Sequence, residues 1–126
     1  MKFLYANCKI ENKLSERLMS FALGTMRMAE SISNNIAGRH IAGQLIRSVT
    51  SAGANYEEAC SAESRPDFIH KLQIVLKEPR ESLYWLRLSL KASLISLEAI
   101  TPLIQEGKEL ANIIAKSIIT AKRNKQ

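Results

Sequence analysis

Ile41, Leu45, Val49, Ala52, Tyr56 and Ala59 recur at intervals of four and three, and Arg47, Ser51, Asn55 and Glu58 keep the same spacing along the neighbouring edge. A helix of about 3.6 residues per turn sets each series on one continuous stripe, whereas a strand would scatter both over two faces. The pattern predicts a long helix with a buried apolar face and a polar edge beside it.

The same period runs through the rest of the chain. Leu14, Leu18, Phe21, Thr25, Met28 and Ile32 predict a first helix of about six turns, with Ser33, Asn34, Asn35 and Gly38 marking its end. The second helix is expected from about His40 to Glu63. Ser64-Arg65-Pro66 stops it, with Pro66 suited to the first turn of a third helix and Ser64 to its cap. In the third helix Ile69, Leu72, Leu76, Leu83, Leu86 and Leu90 form one stripe. Pro79 falls on the same side, where it removes an N–H and is expected to kink the rod. After a turn over 93–98, a fourth helix to Arg123 is expected to pack through Ile100, Leu103, Leu110, Ile114, Ser117 and Ala121, with Pro102 in its first turn. Residues 1–12 lack a period and read as an N-terminal arm, and residues 122–126 as a basic tail. With only five glycines and three prolines and no alternating β-branched run, the expectation for 1–126 is a single all-α domain. Short connections favour an antiparallel up-down-up-down four-helix bundle.

The net charge of +6 and pI near 9.6 favour an anionic partner such as RNA or DNA. Cys8 and Cys60 lack the CxxC spacing of a metal or redox motif and read as reduced thiols of a cytoplasmic protein, Cys60 as a small buried filler. Asn7, Cys8, Lys9 and Glu11 interrupt the apolar start, so no signal-peptide core forms. No apolar run approaches the roughly 20 residues of a membrane span.

Chemistry is weakly signalled. The chain has no Glu-x-x-His, glycine-rich phosphate loop or Gly-x-Ser-x-Gly elbow, so no catalytic residue, metal site or cofactor is expected. His40 and His70 read as surface or capping residues. Trp85 lies on the far side of the third helix from the leucines, near Ile74, Glu78 and Glu81, and Met19, Leu23 and Met26 lie opposite the core stripe of the first helix. An isolated protomer would leave these exposed, which predicts a subunit interface with Trp85 as an anchor. Arg47, Ser51, Asn55 and Glu58 are placed to meet Lys71, Glu78 and Glu81 in a polar network between helices or subunits. Lys77, Arg80, Arg87 and Lys91, with Tyr84 among them, form a basic stripe to which Lys122 and Arg123 add charge. This stripe is the expected nucleic-acid surface, reading phosphate and not sequence.

Gln44, Leu45, Arg47, Ser48, Thr50, Ser51, Ala54, Asn55, Glu58 and Ala59 form a segment QL-x-RS-x-TS-x-x-AN-x-x-EA. Phe68, Lys71, Leu72, Leu76, Lys77 and Glu78 follow as F-x-x-KL-x-x-x-LKE, then Glu81, Tyr84, Trp85 and Leu86 as E-x-x-YWL. These segments resemble the 23S rRNA intervening-sequence proteins, a four-helix-bundle family. The resemblance implies a left-handed antiparallel bundle assembled into a ring, a homopentamer, associated with genes inserted in ribosomal RNA. It supplies no biochemical activity. A similar bundle serves as the basic, nucleic-acid-binding accessory protein of diversity-generating retroelements. The chain departs from the family at Pro79, where a helix-favouring residue is usual. The leading expectation is a non-enzymatic homo-oligomeric bundle that holds RNA or DNA; the alternative is a structural or protein-interaction scaffold.

Overall fold

The computed structural model describes Cys8 and residues 13–123; the rest of the expected arm and residues 124–126 of the tail lie outside the described residues. Four helices follow in order, α1 (Lys13–Ala29), α2 (Ile36–Cys60), α3 (Arg65–Lys91) and α4 (Leu97–Arg123), with no strand among the described residues. Each helix packs on two others, α1 on α2, α2 on α3, α3 on α4 and α4 back on α1. One core results. Leu18, Leu45, Tyr56, Phe68, Leu72, Leu86, Ile100, Leu110 and Ile114 are sealed in it, and each such side chain contributes about 1.5–3 kcal/mol through the apolar area removed from water.

The helix ends differ from expectation at the first connection. α1 stops at Ala29; Ile32 still faces the core, but from a tight turn in which Ser31 and Ile32 N–H groups reach Met28 and Ala29 carbonyls at 2.9 and 3.2 Å. α2 then begins at Ile36, four residues before the expected His40. Asn35 is its cap, its side-chain oxygen accepting the Gly38 N–H at 2.8 Å. Gly38 is therefore part of the first turn of α2 and not a terminator. Its need is steric: a Cβ there would stand 1.8 Å from the Ser33 carbonyl oxygen. At its other end α2 stops at Cys60, short of the expected Glu63.

α3 starts as expected, with the Ser64 hydroxyl accepting the Asp67 N–H at 3.2 Å and Pro66 in the first turn. Pro79 does not interrupt it. Its ring is buried on the core face between Val75, Leu76 and Ser82, so side-chain packing on both flanking turns holds the helix across the one missing hydrogen bond. α3 ends in a Schellman motif, with Leu94 N–H bonded to Ser89 O and Ser93 N–H to Leu90 O, both at 3.0 Å. Ser93 takes the left-handed position at φ 58°. In α4 the Ser96 hydroxyl accepts the Ala99 N–H at 3.2 Å, so the helix starts at Leu97 and Pro102 falls in the second turn, not the first.

A hydroxyl pair and a cystine also lie inside. Ser48 of α2 and Ser82 of α3, both fully buried, share a hydroxyl–hydroxyl bond at 2.8 Å, and the Ser82 hydroxyl also lies at donor distance from the Glu78 carbonyl, 2.8 Å. The second corrects the reading of the cysteines. Cys8 and Cys60 form a disulfide across 52 residues, their Cα atoms 5.3 Å apart. Spacing along the chain conceals this because α1 and α2 return residue 60 to the end of the bundle where residue 8 lies.

Candidate nucleic-acid interface, polar seam and apolar groove

The core face of α3 carries Phe68, Leu72, Val75, Leu76, Pro79, Ser82, Leu86 and Ser89. Positions 77, 80, 84, 87 and 91 follow a spacing of three and four on the opposite side. Lys77, Arg80, Tyr84, Arg87 and Lys91 are accordingly all exposed, Tyr84 by 55%. None of the four cations makes an ion pair among the described residues, whereas Arg17, Arg47 and Lys71 are each held by carboxylates. The stripe thus presents four cations without ion pairs and one aromatic ring in its middle, Lys77 feeling the carboxylate of Glu78 beside it. Lys122 and Arg123 lie in the last turn of α4, both exposed.

The polar edge of α2 meets α3 through one residue above all. The Arg47 guanidinium bonds to Glu81 and stands 3.6 Å from Glu78, while its Nε donates to Gln44 at 3.2 Å. Glu81 also accepts the Trp85 indole N–H at 3.0 Å. The hydrogen bond from Arg47, with that from Trp85, holds the Glu81 carboxyl below the ordinary range. Glu78 moves the other way: burial raises it, against the pull of Arg47, and its Oε1 has no hydrogen-bond partner among the described residues. The other expected members lie elsewhere. Lys71 pairs with Asp67 one turn back at 3.2 Å, because an i,i+4 partner on the same helix is closer than any on α2. Ser51 turns its hydroxyl to the Arg47 carbonyl at 2.7 Å. Asn55 joins no such bond among the described residues, and Glu58 lines an open depression with Ala54, Glu57, Ser61 and Lys71.

Trp85 is half-buried. It packs edge-on against His40 at 5.7 Å and Tyr84 at 5.1 Å between ring centroids. His40, expected at a helix start, is the fifth residue of α2 and reaches the indole for that reason; this contact had no signal in the spacing. His70 is exposed on α3.

The exposed apolar residues of α1 belong to a different seam. Met19, Leu23 and Met26, exposed by 59, 46 and 39%, rim a groove of about 560 Å³ between α1 and α2, floored by Leu18, Ala22, Val49 and Gly53. Ile46 of α2 adds a further exposed side chain. Ser15 donates to Glu57 at 2.8 Å across one end. Trp85 does not line it. Among the described residues no three His, Cys, Asp or Glu side chains are grouped to hold a metal ion, and no helix is long and apolar enough to cross a membrane.

Residues 11–116 match the family described as 23S rRNA-intervening sequence protein. No curated protein matches the chain. Among solved structures it is similar to a protein of unknown function from the S23 ribosomal protein family of Bacteroides thetaiotaomicron, with 32% identity and a TM-score of 0.77 over 83% of this chain and 97% of that one. The match spans α1, α2, α3 and all but the end of α4, and leaves out residues 1–10; the related crystal structure is covered over nearly its whole length. The chain belongs to the 23S rRNA-intervening sequence protein family.

Proposed function

We propose that this protein is a non-enzymatic, self-associating bundle that holds nucleic acid, RNA foremost, by its phosphates on the outer face of α3. The observation that carries the reading is the stripe Lys77, Arg80, Arg87 and Lys91, four cations without an ion pair among the described residues, exposed along nearly four turns on one face of a single helix. Phosphate contacts of this kind release counterions and are independent of base sequence, and Tyr84 offers a base-stacking face to a single strand. An RNA partner makes the cytoplasm the expected compartment.

The apolar groove between α1 and α2 supports the self-association half of the proposal. Identical copies repeating the α3 stripe around a ring, five in the resemblance drawn above, would join their stripes into a belt. Helix pairings such as Arg17 with Glu106 and Gly24 with Leu103 support the antiparallel arrangement, since one number rises as the other falls.

Binding to duplex and single-stranded RNA is measured as a function of salt. Log affinity should fall steeply with log salt, and alanine at Lys77, Arg80, Arg87 and Lys91 together should flatten the slope by about 3 for each engaged protomer. No binding at low salt, or an unchanged slope in the quadruple variant, removes the reading. In that case the rival, a scaffold acting through the groove alone, is carried by light scattering: Leu23→Asp should lower the native mass toward that of a protomer.

A further inference from the structure

We infer that Cys8 and Cys60 form a reversible dithiol–disulfide clamp, opened and closed by exchange with small thiols of the glutathione class, which sets how firmly the α1–α2 half of the bundle is held. The inference takes from the proposed function only the cytoplasmic compartment, where thiols are held reduced and protein disulfides are transient and redox-sensing.

Three observations carry it. The Cα separation of 5.3 Å lies inside the window that a disulfide spans without backbone movement, so the bond closes within the folded bundle. The two residues also differ in exposure, Cys8 being 8% exposed and packed in the core and Cys60 half-buried at the end of α2. And the core can accommodate the reduced form. The Tyr56 hydroxyl stands 3.8 Å from the Cys8 sulfur, so a thiol released there has a polar neighbour and is not stranded among apolar groups.

A glutathione-class thiolate attacks the Cys60 sulfur and the bond to Cys8 breaks. Cys8 leaves with the electron pair and takes a proton; a mixed disulfide remains on Cys60. A second thiolate attacks the sulfur of the small thiol, releasing Cys60, which is protonated in turn, and the oxidised small disulfide. Two small thiols have been oxidised and one protein disulfide reduced; the reverse closes the clamp.

Closure encloses α1 and α2 within one covalent loop of 52 residues in separation. A loop of this size removes much of the freedom of the unfolded chain, so reduction should lower Tm by about 10 °C. The experiment equilibrates the full chain in buffers of graded reduced to oxidised glutathione, traps free thiols with N-ethylmaleimide, counts labels by intact mass and records a melt of each sample. Expected is one two-electron transition from two labels to none, with Tm rising in step, and a C8S/C60S double variant whose Tm stays at the reduced value throughout. Two labels at every ratio, no label without denaturant, or labels gained with Tm unmoved would each overturn the clamp. RNA affinity recorded on the same samples separates the two proposals, because loss of RNA binding leaves the thiol titration unaffected.

Discussion

Gly38 and Gly43 lie five residues apart in α2, and alanine should act on them with opposite sign. At Gly43 a Cβ would meet nothing within 4 Å, so Gly43→Ala removes the helix penalty of glycine and should stabilise by about 0.8–1 kcal/mol. At Gly38 the same Cβ would stand 1.8 Å from the Ser33 oxygen, 2.9 Å from the Ser33 carbonyl carbon and 3.1 Å from Ile32 Cγ2. Ordinary contact begins at 3.4 Å, so either the Ser33 peptide or the start of α2 must move by more than an ångström. Neither is free to do so: Ser33 N–H is bonded to Leu94 O at 3.2 Å, Asn35 N–H to Ser33 O at 3.0 Å, and Gly38 N–H to the Asn35 cap at 2.8 Å. Losing the cap and one or two of these bonds costs about 1 kcal/mol each. After the gain in helix propensity, Gly38→Ala should destabilise by about 1–2 kcal/mol. Urea unfolding of both variants with the disulfide intact should separate them by about 2–3 kcal/mol. No glycine among the described residues has a positive φ, so backbone torsion offers no competing explanation. Variants of equal stability, or a stabilised Gly38→Ala, would refute the close approach of α2 to the turn before it.

Glu78 has its carboxyl raised by burial, so its contribution to stability is fully present below the unfolded carboxylate pKa and is lost as pH rises through the folded value. Glu81 is lowered by Arg47 and Trp85 and contributes above the unfolded value, losing this as pH falls through the folded one. Glu78→Gln should therefore raise Tm at pH 7 relative to the parent, with the difference shrinking toward pH 4, while Glu81→Gln lowers Tm at pH 7; melts across pH 4–8 test the opposite signs. Thr25 is fully buried and its hydroxyl has no partner among the described residues. Thr25→Val keeps the shape and deletes the unpaired group, and should stabilise by about 1 kcal/mol in urea unfolding.

The four helices were legible because their apolar stripes are long and their breaks chemically plain. Ser64 and Pro66 place the start of α3 to within a residue, since a cap and an N-terminal proline act locally. The start of α2 was not, because Gly38 looks like a terminator when its reason, the passing Ser33 carbonyl, is a tertiary contact. Arg47 meets Glu78 and Glu81 where helix spacing puts them, yet Lys71 is taken by its own helix, and helical spacing cannot rank those two attractions. The disulfide was hidden for the opposite reason to the basic stripe. A stripe on one helix is written in consecutive turns, but the approach of residues 8 and 60 depends on two helices folding back. His40 against Trp85 was missed with the boundary, as a residue assigned to a helix start is not expected to stack one turn inside it.

The Ser48–Ser82 pair has a consequence for how α2 and α3 find each other. Rows of leucine, valine and alanine tolerate sliding by a turn, since one aliphatic neighbour substitutes for another. Two hydroxyls facing each other do not, because displacement by a single turn would lose the bond between them, worth about 0.5–1.5 kcal/mol net, and leave each only the carbonyl of its own helix, Leu45 for Ser48 and Glu78 for Ser82. The pair works as an index mark, and only the alignment that joins it also sets Arg47 opposite Glu81.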